Sequence, residues 1–348
     1  LSAASVLAAG AQALAGQARR LGSRLSRREP DLEIHLPISP TPTFFTMVHY
    51  FAASLRLHGG ALAGSRIVVN VGADREPEDL LARLPWSRRY PIEWRWIDRG
   101  LYRRHSYFAT ATERFRGPFR SRVVMLADAD VFFAGDFGQV VEGCRRDRAL
   151  AGLIAHISPC AERQEMPTPS LWTRVFETAG LGKPSLVCEH TGWGTMSHDP
   201  ADRYCPPYFN LGMLVAPAGV IAEIGSIIDR EMEHVDAVLA TPYRCQIGLA
   251  LAVRRLGVRW RSLPMRYNYP NDDLIASRFV ADLANVRLFH YLRQGPCDKG
   301  RDFASPERVG EWLARRDLDG VNREMARHLA PVHAAVLADL AREPGPRA

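Results

Sequence analysis

The stretch 121–134, SRVVMLADADVFFA, constrains this chain more than any other. Five apolar residues, Val123 to Ala127, run straight into Asp128 and Asp130, and Val131, Phe132 and Phe133 follow at once. A strand that is apolar at every position, rather than at alternate ones, is buried on both faces, as in a parallel sheet covered by helices. Carboxylates buried in such a run without partners cost about 1–3 kcal/mol each, so a ligand is expected to face them. Ligands of open α/β sheets bind beyond the carboxyl ends of the strands, and the aspartates stand where VVMLA ends.

From residue 32 the chain alternates strand and helix patterns. LEIHLPIS, SRIVVNVGA and PIEWRWID read as strands. TFFTMVHYFAASLRLHGG sets Phe44, Val48, Phe51 and Leu55 on one helical face and stops at Gly59-Gly60. YFATATERF reads as the helix before the aspartate strand. Residues 157–207 are irregular and rich in Pro, Cys, His and Trp, with one helical island, LWTRVFETAGL; such a stretch inside an α/β unit builds a substrate pocket or lid. YFNLGMLVAP (strand), VIAEIGSIIDREMEHVDAVL and YRCQIGLALAVRRLG (helices, the second capped by Gly257), VRWRSLP and VRLFHYL (strands) complete the unit. In the tail, Ser305 and Pro306 start a helix over SPERVGEWLARR. A second tail helix is expected over 320–341, packed on the outside of the core. The expected fold class is α/β, a mostly parallel sheet flanked by helices with a helical C-terminal extension over 302–348.

Composition narrows the function classes. With 47% hydrophobic and 24% charged residues the chain has the make-up of a globular enzyme. No run approaches the ~20 apolar residues of a membrane span. The formal charge of +7 rests almost wholly on arginine, since Lys183 and Lys299 are the only lysines. The arginines are scattered in pairs and accompany no zinc-finger, RRM-like or basic-zipper pattern, so no nucleic-acid partner is expected. The six cysteines, 144, 160, 188, 205, 245 and 297, form no CxxC; free thiols in a reducing, cytoplasmic setting are the expectation. Residues 1–29 differ from the rest: Leu7, Leu14, Leu21 and Leu25 share a helical stripe, with Arg19, Arg20, Arg24 and Arg27 off it. That pattern suits a basic amphipathic segment on a membrane surface or a partner, or a loosely packed terminal helix. No continuous apolar stretch follows a basic start there, so no secretory signal is expected.

Two carboxylates at i and i+2 on a strand end turn toward one ligand. Their hard oxygens suit Mg²⁺ or Mn²⁺, which take one or two protein carboxylates and complete their shells with phosphate and water. The plain alternative is a chance tripeptide on a solvated loop. His290, on the same strand face as Val286 and Leu288, reads either as a satisfied core histidine or as a third ligand. Arg293, Lys299 and Arg301 in RQGPCDKGR are placed to grip a diphosphate, or form a solvated basic loop.

Five segments in order, RFRGPFRSRVVMLADADVFFAGDF, YFNLGMLVAP, CQIGLALAV, LPMRYNYP and LFHYLRQGPCDKG, resemble the GT-A-fold glycosyltransferases, and within them glycosyltransferase family 8, the glycogenin and lipopolysaccharide sugar-transferase group. The resemblance covers about residues 32–301. It implies a GT-A, Rossmann-like domain over 30–301, with a nucleotide half over about 30–135 and an acceptor half over about 136–301. It implies that Asp128 and Asp130 hold a nucleotide-sugar, with UDP as the expected nucleotide, and its Mn²⁺ (or Mg²⁺), and that His290 completes the metal site. Arg114, four residues before Pro118, would contact the donor. Asn210 and Gly212 of FNLG would line the sugar pocket, Gln246 would sit beside the reacting centre, and Lys299 or Arg293 would contact the leaving phosphates. The acceptor would be a saccharide or another hydroxyl compound, and transfer would proceed with retention. The chain departs from the family where Cys245 replaces an aspartate, where His290 and Lys299 stand further apart with no Lys-Pro-Trp, and in a shorter turn after the Arg114 helix.

An inverting enzyme would need a positioned base, for which Glu189, His190 and the Asp272-Asp273 pair are candidates. Two other readings remain at this stage. A haloacid-dehalogenase-type phosphatase also carries Asp-x-Asp after an apolar strand, but it wants Thr or Val where Phe132 stands and places the motif at the start of its domain. A non-catalytic nucleotide-sugar-binding module would bind its ligand independently of metal.

Overall fold

The computed structural model describes residues 31–73, 83–105, 107–159, 168–192, 200–292 and 297–342. Residues 1–29, Cys160 and Arg293 lie outside the described residues, and the expectations placed on them with them.

The first half follows the patterns read above. β1 (Leu32–Ile38) leads into α1 (Pro42–His58), whose first amides are capped by Thr41, its hydroxyl accepting from Phe44 N, with Pro42 opening the helix. β2 (Arg66–Val71) and β3 (Ile92–Trp96) add in parallel on one side of β1. α2 (Arg99–His105) and α3 (Tyr107–Glu113) carry the chain back, and β4 (Val123–Ala127) pairs in parallel with the other side of β1. Strand order therefore reverses between β1 and β4. The crevice beyond their carboxyl ends is the switch point at which open α/β sheets bind ligands.

β5 (Val131–Phe133) then leaves the main sheet. After α4 (Gly138–Asp147), β6 (Leu150–Ile154), α5 (Thr168–Thr178) and a two-stranded ribbon of β7 (Cys188–Glu189) and β8 (Tyr204–Cys205), the chain enters β9 (Phe209–Pro217). β9 lies antiparallel between β4 and β6. α6 (Ala218–Asp236) and α7 (Arg244–Leu256) follow, the latter ending at Gly257 with φ 62, as the sequence spells. β10 (Trp260–Ser262) closes a seven-stranded sheet of order β10-β6-β9-β4-β1-β2-β3. β11 (Tyr269–Pro270), α8 (Asp273–Arg278), α9 (Val280–Leu283) and β12 (Leu288–His290) come next, and β11-β12-β5 form a second, small sheet. α10 (Lys299–Asp302), α11 (Pro306–Leu313) and α12 (Gly320–Ala341) complete the described chain.

The unbroken apolar run of β4 is explained by the two core layers it separates. Val123, Met125 and Ala127 face one hydrophobic cluster, Val124 and Leu126 the other, and all five are fully buried. Each larger side chain among them contributes about 1.5–3 kcal/mol by leaving water. The tail helix, expected on the outside of the core, contributes to it directly. Val321, Met325, Leu329, Val332 and Val336 of α12 are fully buried in the same cluster as β1 and α1. Because α12 packs along α1, every residue of α1 from Thr46 to Leu55 is buried, not only the Phe44-Val48-Phe51-Leu55 stripe. Asp339, buried near the end of α12, accepts from the Tyr90 hydroxyl and lies 3.7 Å from His49 and 4.0 Å from both Arg56 and Arg89, so the tail is also pinned by a compensated charge. The five described cysteines are free and buried. No helix among the described residues is long and apolar enough to cross a membrane.

Candidate functional site

Asp128 and Asp130 leave β4 at the switch point, and the small second sheet brings His290 to them. β12 runs antiparallel to β5, with His290 opposite Val131. One ligand atom from each of Asp128, Asp130 and His290 lies within 4.8 Å of the others, the only such group of three among the described residues. His290 Nε2 stands 3.2 Å from Asp130 Oδ1 and 4.0 Å from Asp128 Oδ2.

A chain of hydrogen bonds sets the polarity of His290. The Gly212 backbone N–H can only donate, and it donates to Asn210 Oδ1 (2.8 Å). That oxygen also accepts from Asn268 Nδ2 (2.8 Å), so the other amide atom of Asn268 is its oxygen, and His290 Nδ1 donates to it (2.9 Å). Nδ1 therefore carries a proton, and Nε2 is the ring nitrogen aimed at the two carboxylates. Ring nitrogen and carboxylate oxygen at 3.2 Å require a positive centre between them, a metal ion or a second ring proton. A ligand histidine held through its other nitrogen is the usual way a protein aims imidazole at a metal. The close approach demands glycine: a Cβ at Gly212 would lie 2.4 Å from His290 Nδ1 and 2.8 Å from Asn268 Oδ1.

Cations face the carboxylates from both sides. Arg114, buried except for 1% of its surface, donates to Asp128 Oδ1 (2.9 Å) and to the Ala127 carbonyl (3.1 Å), while its Nε donates to Ala111 O (3.2 Å). Lys299, at the start of α10, donates to Asp130 Oδ2. Burial by itself would raise the Asp130 carboxyl, but His290 and Lys299 outweigh it and hold that group well below the usual carboxylate range. Burial lowers the Lys299 ammonium and the neighbouring aspartates raise it, with a net upward shift.

The site opens into a cavity of about 380 Å³. Pro37, Ile38 and Ser39 from the end of β1 and Phe44 and Met47 of α1 form one wall; Thr110, Ala111 and Arg114 form another; Asp128, Asp130, Leu211 and Lys299 form the polar end; Pro242, Cys245 and Gln246 close it. Burial pushes the Cys245 thiol up to about 11, so it is neutral at physiological pH.

Of the residues singled out in the sequence, Arg114, Asp128, Asp130, Gln246 and Lys299 line this cavity and His290 stands behind its carboxylates. Lys299 reaches Asp130 despite its longer spacing from His290. Asn210 and Gly212 are spent on holding His290, and Leu211 between them faces the cavity. The candidate bases are engaged elsewhere. Glu189 pairs with Arg203 (3.0 Å) and Arg278 (3.4 Å). His190 donates through Nδ1 to Ala155 O (3.0 Å), with its pKa lowered by burial to about 4. Asp272 caps α8, and Asp273 accepts from Val321 N (2.9 Å). Asn268 is the residue the sequence reading missed.

No family model matches the sequence, and no curated protein matches it. Among solved structures, the apo bifunctional glycosyltransferase WbbM is similar at 13% identity and TM-score 0.48, over 92% of this chain and 53% of that one, so the chain spans about half its length. The galactosyltransferase LgtC in complex with donor and acceptor sugar analogues is similar at 15% identity and TM-score 0.49, over 87% of this chain and 95% of that one. An active-site mutant of LgtC gives 14% identity and TM-score 0.50, over 86% and 95%. At these identities the likeness concerns the fold, and the α/β architecture described above is that of the GT-A glycosyltransferases.

Proposed function

We propose that this chain is a metal-dependent glycosyltransferase of the family 8 type, which moves a sugar from a nucleoside-diphosphate donor, UDP-linked in our reading, to a hydroxyl of a saccharide or similar acceptor, with retention. The observation that carries the proposal is the convergence of Asp128, Asp130 and a polarised His290 at the cavity mouth on the sheet's switch point. Two carboxylate oxygens and an imidazole nitrogen fit Mn²⁺ or Mg²⁺, and the hydrogen-bond chain that holds His290 by Nδ1 and aims Nε2 at the carboxylates supports that fit. A divalent ion there supplies charge that offsets the departing diphosphate.

The protein's own groups do the rest. Arg114 fixes Asp128 through a buried guanidinium contact, and Lys299 at the rim is a point charge suited to phosphate oxygens. Gln246 and the neutral Cys245 lie at the end where the transferred sugar would sit, so this pocket offers an amide and a thiol rather than a carboxylate. None of Glu189, His190, Asp272 and Asp273 lines this cavity, which favours a retaining course in which the leaving phosphate takes the acceptor's proton. The buried thiols agree with a cytoplasmic setting. A thermal-shift screen of UDP-, GDP- and dTDP-sugars with and without Mn²⁺ tests the proposal: stabilisation by UDP-sugars that needs the metal is expected, and no metal-dependent stabilisation by any of them would remove its basis.

A further inference from the structure

Any divalent ion held by Asp128, Asp130 and His290 meets a cation already seated on the same carboxylate. Asp130 gives one oxygen to His290 and the other to the Lys299 ammonium. The Asp130 side chain is only 12% exposed, whereas the Lys299 side chain is 46% exposed, and both line the cavity. The base of the Lys299 side chain is anchored by its neighbours. Asp298 caps α10 by accepting from Gly300 N (2.9 Å) and Arg301 N (3.2 Å), and fully buried Phe303 stacks on Tyr291 with ring centroids 4.2 Å apart. On a capped helix start and with a flexible four-carbon stem, the ammonium has both Asp130 and the cavity within the reach of its side chain.

We infer that Lys299 is an exchangeable counter-ion of the acidic cluster: a divalent cation and the Lys299 ammonium compete for Asp130, and cation binding turns the ammonium into the cavity, where it meets the anionic part of the ligand. The inference rests on the metal-binding part of the function proposed above. Cation and anion binding are then coupled, because each favours the position of Lys299 that the other requires, and the coupling is reciprocal. Lys299 thus sets the cation affinity of the site as well as contacting the anion.

Two measurements test this without any nucleotide. Mn²⁺ binding followed by electron paramagnetic resonance is expected to be about tenfold tighter in Lys299→Met than in the parent chain, because the variant has no ammonium to displace, and to be lost in Asp130→Asn. The second needs no variant. The chain has only two lysines, Lys183 and Lys299, so reductive ¹³C-methylation, which keeps the charge, gives two side-chain resonances. Titration with Mg²⁺ is expected to move the Lys299 resonance and leave that of Lys183 in place. Equal or weaker Mn²⁺ binding in Lys299→Met, a Lys299 signal unmoved at saturating Mg²⁺, or no Mn²⁺ binding by the parent chain each overturns the inference. If UDP-sugars stabilise the protein while Lys299 stays still, the exchange falls and the transferase stands; if Lys299 moves and no nucleotide-sugar binds, the reverse holds.

Discussion

Substituting Gly212 by alanine tests the histidine-aiming chain at its tightest point. The added methyl would sit 2.4 Å from His290 Nδ1 and 2.8 Å from Asn268 Oδ1, both inside any real contact distance. Neither neighbour can yield freely: His290 lies in β12, paired with β5 and β11, and is 2% exposed, while Asn268 is 1% exposed. Relief therefore separates His290 from Asn268 and breaks their 2.9 Å bond. Overpacking a tight site costs about 1–3 kcal/mol, and a buried donor left without a partner about 1–3 kcal/mol more, giving about 2–6 kcal/mol in urea unfolding. Beyond stability, a ligand histidine with a displaced outer partner loses about 10- to 100-fold in metal affinity. Paired measurements on Gly212→Ala, urea denaturation and Mn²⁺ titration of the folded protein, are expected to show both losses. An alanine variant with parental stability and parental Mn²⁺ affinity would refute the idea that this glycine exists to seat His290.

Further expectations follow from the same contacts. Asn268→Ala leaves His290 Nδ1 without its acceptor and is expected to weaken Mn²⁺ binding about 10- to 100-fold; unchanged binding in a folded variant contradicts the role assigned to the amide. Leu329→Ala, at a fully buried position of α12, is expected to lower unfolding free energy by about 2–5 kcal/mol, and a loss below 1 kcal/mol (about the surface value) would mean that the tail helix does not share the main core. His190 is held neutral by burial, its pKa lowered from 6.5 to about 4. The group's contribution is therefore complete above the unfolded pKa and is lost as pH falls from about 6.5 toward about 4, about 3 kcal/mol over that window; His190→Gln should flatten that part of the stability–pH curve, and an unchanged slope counts against it.

What the sequence disclosed and what it hid divide along physical lines. Features written by local pattern were legible. The Val123–Ala127 run announced a strand buried on both faces, Gly257 a left-handed helix end, and Ser305-Pro306 a helix start, and each is found. Asp128 and Asp130 were legible as chemistry because carboxylates inside an apolar run need a reason, while His290 read alone was equally a core histidine and gained its third-ligand role from the family resemblance. Their meeting depended on the pairing of β5 with β12 across 160 residues, which no local pattern spells. Asn268 was illegible for the same reason: in LPMRYNYP it looks like a turn residue, and only the fold sets it against His290. Of the Asp272-Asp273 pair, named only as a candidate base, the structural role was also written locally: an Asp just before the helical DLIASR is a helix-cap signal, and Asp272 caps that helix. The burial of α1 on all sides was hidden because the covering element, α12, lies about 280 residues further on.

The central claim, a donor site built on Asp128, Asp130 and His290, meets its most direct test in calorimetric titration of UDP into the protein with Mn²⁺ present and again after chelation, alongside Asp130→Asn. The account predicts saturable binding that requires the metal and disappears in Asp130→Asn. Binding of equal strength with and without Mn²⁺, or undiminished binding in Asp130→Asn, would contradict it.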